Sequence, residues 1–328
     1  MMRKITIAVC SVLLLLVGCS ANTDSSKTIR IGYFPNLTHI ATIIALEKGF
    51  FAEAFGDAYT IQTKVLNNGS LFMEALMTDA IDIGTVGPGP AIVFFEKNPV
   101  FRMVAGAANG GTLLMVREAS EIITPAQLAG KKVAIPVIGG TQDIMLRQVL
   151  EQVPLSPTTS GGNVTLVKAS SADMVTLFRQ KSIDAAIVQQ PWGDYLQSEV
   201  NGQVLVDWNQ FAWGEEMTNT VVVATDKWID EGDNITKYLQ AHMQALQFIK
   251  DYEQEALQLV SDHLQKLSGK VVPEAQLAAA FQKMAVTAEL NEQVIAAMAQ
   301  TSKSAKYIKD SNIDGLIDLS YLNAIIQR

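Results

Sequence analysis

The stretch Ile81-Asp82-Ile83-Gly84-Thr85-Val86 decides the fold, because its pattern returns as Ile183-Asp184-Ala185-Ala186-Ile187-Val188. Each stretch reads as a short apolar strand that follows a helix and leads into a turn containing proline. Strands that alternate with helices in this way predict an α/β fold with a mostly parallel, doubly wound sheet. Since the same plan occurs twice, we predict two such lobes, with chance recurrence of a short pattern as the alternative.

The alternation of strands and helices continues on both sides of these two stretches. After residue 226 the chain shows only helical spacing, so the last helices are expected to pack back on the first lobe. The chain would then cross between the lobes twice, near 112–117 and near 219–225, with a ligand cleft between the lobes. The predicted strands are 28–33, 59–66, 81–86, 101–105, 133–136, 164–168 and 183–188, and 219–224 is a further strand-like run.

The amino terminus reads as an export signal. Arg3 and Lys4 precede an apolar run over 5–17, which is too short to span a bilayer as a helix. The sequence Leu16-Val17-Gly18-Cys19 resembles the bacterial lipobox, which implies that Cys19 becomes the lipid-modified first residue of the mature chain. A plain secreted protein with an incidental cysteine is the alternative. We therefore expect an extracytoplasmic protein, lipid-anchored to the outer face of the cell membrane or held in the periplasm.

Removal of the signal peptide would leave 310 residues, more than one hydrophobic core usually serves. The sequence predicts a signal peptide at 1–18 and a flexible tether at 19–27. The first lobe is expected to combine 28–114 with 224–328, and the second lobe to span 115–223.

Composition and motifs exclude several classes of function. Loss of Arg3 and Lys4 with the signal peptide leaves 23 basic against 33 acidic residues, a net charge of −10 that argues against nucleic acid. Cys10 would also be lost, so thiol catalysis and thiolate metal sites are excluded. The three histidines are scattered, and no nucleophile elbow, P-loop or zinc-protease motif occurs. We expect no enzyme, no cofactor and no metal, and we expect Asp82 and Asp184 to be structural.

Four turns are predicted to face the cleft, because parallel sheets bind ligands beyond the carboxyl ends of their strands. Several of these turns lead into helix starts, whose free N–H groups and partial positive charge hold anions without lysine or arginine. A singly charged oxyanion such as a sulfonate is favoured over a phosphate, with Trp192 beside its tail. The candidate ligand-binding residues in these turns are Asn36, Thr38, His39, Gly87, Pro88, Gly89, Gly140, Thr141, Gln142, Gln190 and Trp192.

Most of these candidates also have an ordinary structural explanation. Thr38 and Thr141 are common helix-capping residues, and the glycines are common in turns. Trp192 could pack in the core, and His39 could be a buried histidine with its hydrogen bonds satisfied. Asp143 could meet a ligand amine, but acidic residues are favoured in the first turn of any helix.

Several short segments resemble the nitrate/sulfonate/taurine type of ABC-importer solute-binding proteins, in this order along the whole mature chain. They are Gly32-Tyr33-Phe34-Pro35-Asn36-Leu37-Thr38-His39, Ala45-Leu46-Glu47-Lys48-Gly49-Phe50-Phe51, Gly87-Pro88-Gly89-Pro90-Ala91, Gly106-Ala107-Ala108-Asn109-Gly110-Gly111, Leu128-x-Gly130-Lys131-Lys132-Val133-Ala134 and Gly140-Thr141-Gln142-Asp143.

That resemblance implies the type II periplasmic-binding-protein fold, a ligand held between the lobes, and delivery to a membrane permease and its ATPase. It places Asn109 and Gly110 among the candidate ligand-binding residues and favours aliphatic sulfonates as the ligand. We expect the protein to be a monomer. One departure occurs at Gln190-Pro191-Trp192, where such proteins commonly have Glu-Pro-Trp. If that glutamate contacts ligand in relatives, ligand choice here would differ.

Other ligands and other roles are compatible with the same segments. Asn36-x-x-His39 after Pro35 also resembles proteins that handle thiamine-pyrimidine precursors, and nitrate or an aromatic carboxylate are further alternatives. A pyrimidine-precursor synthase on the same fold is disfavoured by the export signal, since such enzymes work inside the cell. A sensor or adhesion lipoprotein without a transport role is the remaining alternative.

Overall fold

The computed structural model describes residues 27–269 and 271–327. The predicted signal peptide, Cys19 and the tether up to residue 26 lie outside the described residues, whereas Lys27 already belongs to the first strand. Within the described ranges, no helix has both the length and the apolar character that a membrane crossing requires.

The strands are β1 (Lys27–Tyr33), β2 (Tyr59–Val65), β3 (Ile83–Val86), β4 (Phe101–Gly110), β5 (Thr112–Val116), β6 (Lys132–Ile135), β7 (Thr165–Lys168), β8 (Ala185–Gln189), β9 (Gln203–Val206), β10 (Thr218–Thr225) and β11 (Met284–Val286). The helices are α1 (Ile40–Glu47), α2 (Phe50–Phe55), α3 (Gly69–Met77), α4 (Pro88–Phe95), α5 (Thr141–Glu151), α6 (Ser171–Arg179), α7 (Trp192–Val200), α8 (Asp226–Ile229), α9 (Asn234–Asp251), α10 (Glu253–Ser268), α11 (Glu274–Phe281), α12 (Glu292–Ser304) and α13 (Ser320–Ile326).

Two sheets form the framework, as the repeated pattern predicts. The first sheet has the strand order β11-β4-β10-β3-β1-β2, and the second has the order β7-β6-β8-β5-β9. Both sheets are mixed, which corrects the expectation of mostly parallel sheets. In the first sheet β10 runs antiparallel to β3 and β4, and in the second β5 runs antiparallel to β8 and β9. These are the strands through which the chain enters each lobe from the other, so they run against their neighbours.

The change from one sheet to the other is abrupt at the first crossover. Gly110 ends β4 in the first sheet, and Thr112 begins β5 in the second. Gly110 and Gly111 have φ values of +70° and +71°, which glycine adopts readily and other residues avoid. The chain returns between β9 and β10. The finer division into lobes at residues 114 and 223 stays a prediction.

Asp82 and Asp184, the aspartates of the repeated pattern, occupy equivalent positions in the two sheets. The Asp82 amide donates to the Arg30 carbonyl (2.8 Å), and its carboxylate accepts from the Arg30 amide (2.8 Å). The Asp184 amide likewise donates to the Lys132 carbonyl (2.9 Å), and its carboxylate accepts from the Lys132 amide (3.0 Å). Each carboxylate therefore fastens the strand beside it, which confirms the structural role expected for both residues.

The buried core covers both faces of the first sheet and continues into the second. One apolar cluster contains residues of both sheets, among them Val86 and Val221 from the first and Val133 and Ile187 from the second. A second cluster packs α1, α2, α9 and α10 against the first sheet, as expected for the carboxyl-terminal helices. One continuous apolar cluster therefore joins the two lobes beside the cleft.

Candidate functional site

A cavity of about 440 Å³ lies between the two sheets, where six strands end and five helices and one 3-10 turn begin. β1, β2 and β3 of the first sheet lead to α1, α3 and α4, the first of them through a short 3-10 turn. β6, β7 and β8 of the second sheet lead to α5, α6 and α7. The lining residues are Phe34, Pro35, Asn36, Val65, Asn67, Asn68, Gly69, Gly87, Pro90, Pro136, Val137, Gly140, Thr141, Gln142, Ser170, Ser171, Ala172, Asp173, Gln189, Trp192 and Leu267.

The chemistry of the lining is polar but almost uncharged. Among the described residues that line the cavity, none is a lysine or arginine, and Asp173 is the one acidic residue. Side-chain amides and hydroxyls supply the polar groups, while Phe34 and Trp192 supply aromatic surface. Positive potential in this cavity therefore comes from the helix N-termini, each equivalent to about half a charge.

A side chain accepts from a first-turn amide at the 3-10 turn before α1, at α3, at α6 and, through Gln190, at α7. Asn36 Oδ1 accepts from the Thr38 amide (3.0 Å), Asn68 Oδ1 from the Leu71 amide (3.1 Å) and Ser170 Oγ from an amide in the first turn of α6 (3.2 Å). Each cap satisfies one amide that a helix leaves unpaired. The α3 and α6 termini therefore attract an anion chiefly through their dipoles.

The helix α5 has the most available amide groups at the cavity. Its N-cap is Gly140, which has no side chain to cap it, and its first intrahelical hydrogen bond joins the Ile144 amide to the Gly140 carbonyl (3.0 Å). Thr141, Gln142 and Asp143 precede that bond, so their N–H groups have no acceptor within the helix. By contrast, α4 begins with Pro88 and Pro90, which carry no N–H. The start of α5 therefore offers more amides without an intrahelical acceptor than the start of α4 does.

The lobes touch across the cleft at this same place. The Gly89 amide donates to Thr141 Oγ1 (3.1 Å), and a Cβ on Gly89 would lie 2.6 Å from the Thr141 nitrogen. The Leu37 amide donates to the Gln190 carbonyl (2.9 Å), which joins the lobes a second time through backbone alone. Only glycine allows α4 and α5 to approach this closely.

The structure brings six of the predicted residues together and leaves seven outside the lining. Asn36, Gly87, Gly140, Thr141, Gln142 and Trp192 line the cavity, with Trp192 only 2% exposed. The residues outside the lining are Thr38, His39, Pro88, Gly89, Asn109, Gly110 and Gln190.

Thr38 and His39 are fully buried and bonded to the first lobe. Thr38 Oγ1 contacts Asn36 Oδ1 (2.8 Å) and Thr220 Oγ1 (2.9 Å). His39 Nδ1 lies 2.7 Å from Thr85 Oγ1, and burial lowers the pKa of His39 to about 3. The ring is therefore neutral at pH 7 and contributes no positive charge to an anion site.

Asn109 and Gly110 lie away from the cleft, in β4 and at its end. Asn109 borders a separate surface cavity beside Glu216 and Glu289. The Gly110 carbonyl accepts from Asn219 Nδ2 (2.6 Å). Both residues therefore lie at the crossover region, and neither belongs to the lining of the cavity between the sheets.

Gln190 is also turned away from the cavity. Its side chain is fully buried, with Nε2 donating to Asp194 Oδ1 (2.9 Å) and Oε1 accepting from the Asp194 amide (3.3 Å). The same carboxylate pairs with Lys283 Nζ at 2.5 Å. An amide can donate to Asp194 whereas an ionised glutamate cannot, so the departure at position 190 has a local structural reason in this chain.

Asp143 is fully committed to protein partners rather than to a ligand amine. Its carboxylate accepts from the Gly139 amide (2.8 Å), from Arg147 Nε (3.2 Å) and from the Tyr307 hydroxyl. The side chains of Asp143 and Arg147 are 0% and 6% exposed. This cluster therefore fixes the start of α5, the terminus with the free amides.

Sequence reasoning missed the turns that follow β2 and β7. Asn67 and Gly69 line the cavity after β2, and Ser171 and Asp173 line it after β7. The rule that ligands bind beyond the carboxyl ends of strands applies to these two turns as well. Both strands were predicted, so extending the rule to them would have found these residues.

A family model described as the NMT1-like family matches residues 22–263. The chain belongs to the NMT1-like family. It is 27% identical over 279 residues to a Bacillus subtilis (strain 168) protein with the provisional name of an aliphatic sulfonates-binding protein, covering 83% of this chain and 81% of that one. It is 26% identical over 171 residues to the taurine-binding periplasmic protein of Escherichia coli (strain K12), covering 51% of this chain and 50% of the other.

The fold of this NMT1-like chain is shared with solved binding proteins. The alkanesulfonate-binding protein of Xanthomonas axonopodis pv. citri, solved with MOPS bound, superposes with a TM-score of 0.75 at 19% identity, covering 89% of this chain and 98% of the other. The predicted type II periplasmic-binding-protein fold is therefore confirmed, and so is the solute-binding family. The named relatives are binding proteins, and the family is one of binding proteins and not of enzymes, as expected.

No metal centre is evident in the part of the chain that the structure describes. Groups of three or more His, Cys, Asp or Glu side chains that could hold a metal ion are absent from 27–269 and 271–327. The three histidines instead contact protein groups, His242 through Nε2 to the Gly106 carbonyl (2.9 Å) and His263 through Nδ1 to Glu47 (2.6 Å).

Proposed function

We propose that this protein captures a small organic anion, such as an aliphatic sulfonate, between its two lobes and delivers it to an ABC permease and its ATPase. The observation that carries the proposal is the convergence of five helix N-termini and one 3-10 turn on one cavity that no lysine or arginine lines, among the residues described. A sulfonate spreads one negative charge over three oxygens, so it can accept from several amides at once. The names of the Bacillus and Escherichia relatives point to the same class of ligand.

The size and lining of the cavity support an organic anion over a bare inorganic one. About 440 Å³ is far more room than nitrate needs, and Phe34, Val137 and Trp192 provide apolar surface beside the polar groups. A thiamine-pyrimidine precursor or an aromatic carboxylate would use the same aromatic surface, and both remain alternatives for the test. The absence of basic residues from the described lining disfavours a dianion such as phosphate.

We also propose that capture takes place outside the cytoplasm, on a protein anchored through Cys19. The support is the lipobox-like Leu16-Val17-Gly18-Cys19 in the sequence and the periplasmic designation of the Escherichia relative. A lipid chain would keep this acidic protein near its permease, since its net charge of −10 after processing gives no attraction to an anionic membrane.

Titration calorimetry of the mature protein with butanesulfonate and with 1-butanol tests the charge requirement. We expect the sulfonate to bind and the alcohol of equal length not to bind. Asn67→Asp adds a carboxylate at the exposed rim of the cavity beside the start of α3. For charges about 8 Å apart at an effective dielectric constant near 40, the repulsion is about 1 kcal/mol, or about fivefold in affinity.

Asn98→Asp is the matched control, because Asn98 is exposed and does not line the cavity. It should leave sulfonate affinity unchanged. Binding of a pyrimidine or an aromatic carboxylate, with no heat from any sulfonate, would replace the sulfonate by that ligand. Equal affinities of Asn67→Asp and Asn98→Asp would remove the cavity as the anion site.

A further inference from the structure

Two exposed aliphatic side chains lie at the rim of the cavity on the side of the first lobe. Gln142 and Gln189 are 5% and 6% exposed, whereas Val65 and Leu267 in the same lining are 37% and 43% exposed. The first-lobe rim therefore combines these two aliphatic side chains with the exposed Asn67, while the two glutamines lie deeper.

The two aliphatic rim residues come from separate elements. Val65 is the last residue of β2, and Leu267 lies in the last turn of α10, far along the chain. Few large apolar side chains in the described ranges are exposed to this degree, and these two border one opening. The facing rim of the second lobe is different, since Asp173 and Ser171 line it there.

We infer that Val65 and Leu267 form a contact for the apolar tail of the ligand and set its preferred chain length. This inference rests on the proposed function. The anionic head would occupy the interior, where the α5 amides lie, and the tail would extend toward the opening. An alkyl tail on the side of the first lobe covers exposed aliphatic surface and avoids the Asp173 carboxylate. Each methylene that the rim covers removes further apolar surface from water.

The test is a calorimetric series of methane-, butane- and hexanesulfonate. A fully buried methylene is worth about fourfold in affinity, so a half-covered tail should gain about twofold for each methylene. Leu267→Ala should leave methanesulfonate binding unchanged and lower the gain from butane- to hexanesulfonate. Val65→Ser should do the same from the opposite element.

Ile326→Ala provides the matched control, because Ile326 is 57% exposed and does not line the cavity. It should retain the full chain-length gain. Equal weakening of all three sulfonates by Leu267→Ala, or no chain-length gain in the unaltered protein, would overturn the tail contact while the sulfonate site stands. Failure of the unaltered protein to bind any sulfonate would instead overturn the proposed function.

Discussion

Two buried histidines should make the protein lose stability as the pH falls from 7 to 5. His39 and His242 are both fully buried, and burial lowers their pKa values to about 3 and about 4. An unfolded chain has histidine pKa values near 6.5. Below that pH the unfolded state takes up protons that the folded state does not, so the folded state becomes less favourable until the pH reaches the folded pKa values.

The magnitude follows from the difference in pKa. Each pH unit within this window changes the free energy of unfolding by up to about 1.4 kcal/mol for each histidine. Allowing for partial protonation of the unfolded chain at pH 7, the loss between pH 7 and pH 5 is about 2 kcal/mol for each residue. The two histidines together account for about 4 kcal/mol, a large part of the stability of an ordinary protein.

Urea unfolding followed by tryptophan fluorescence at pH 7, 6 and 5 measures this loss. His242→Gln isolates one histidine, because a glutamine amide can still donate to the Gly106 carbonyl, which His242 contacts at 2.9 Å. We expect the variant to lose about 2 kcal/mol less than the unaltered protein over this range. Carboxylates affect both proteins alike, so the difference between them reports His242. Equal losses would refute the reasoning that burial keeps this ring neutral.

Three further predictions concern ion pairs, charge selection and the anchor. Lys283→Ala should lower the free energy of unfolding by about 2 kcal/mol, because it removes the cation that pairs with the buried Asp194 carboxylate. Lys48→Ala removes the cation of an exposed pair with Glu255 and should lower the free energy of unfolding by less than about 1 kcal/mol. Equal urea midpoints for the two variants would contradict this. Asp173→Asn should raise the affinity for a dianion such as sulfoacetate about fivefold relative to the affinity for butanesulfonate, as measured by calorimetry. An unchanged ratio of these two affinities would contradict the prediction. Cys19→Ser should move the protein from the membrane fraction to the soluble fraction, and continued sedimentation with membranes would disprove the lipid anchor.

The framework could be predicted because it depends on local patterns. The strand expected at 81–86 appears as β3 and the one expected at 183–188 as β8, each within two residues at its start. Apolar runs between turn residues carry that information in the sequence itself. The strands β5, β9 and β11 were missed: 112–117 was predicted only as a crossover, and β9 and β11 are short and lie at the edges of their sheets. β11 has three residues, and its pairing with β4 depends on contacts far along the chain.

The site was predicted only in part, because a turn fixes position but not side-chain direction. Asn36 and Thr141 line the cavity, whereas Thr38, from one of the same predicted turns, points inward to Thr220. Thr220 belongs to β10 and lies 182 positions further along the chain, so nothing near Thr38 in the sequence indicates this contact. Which candidates touch ligand stays a prediction.

The contact between Gly89 and Thr141 has an electrostatic consequence for the empty protein. It brings the positive poles of α4 and α5 together, and like poles repel. An anion beside the α5 amides would act as the counterion for both helix N-termini, so we expect it to favour the close approach of α4 and α5. We expect the ligand's charge to be the electrostatic link that holds the two lobes together.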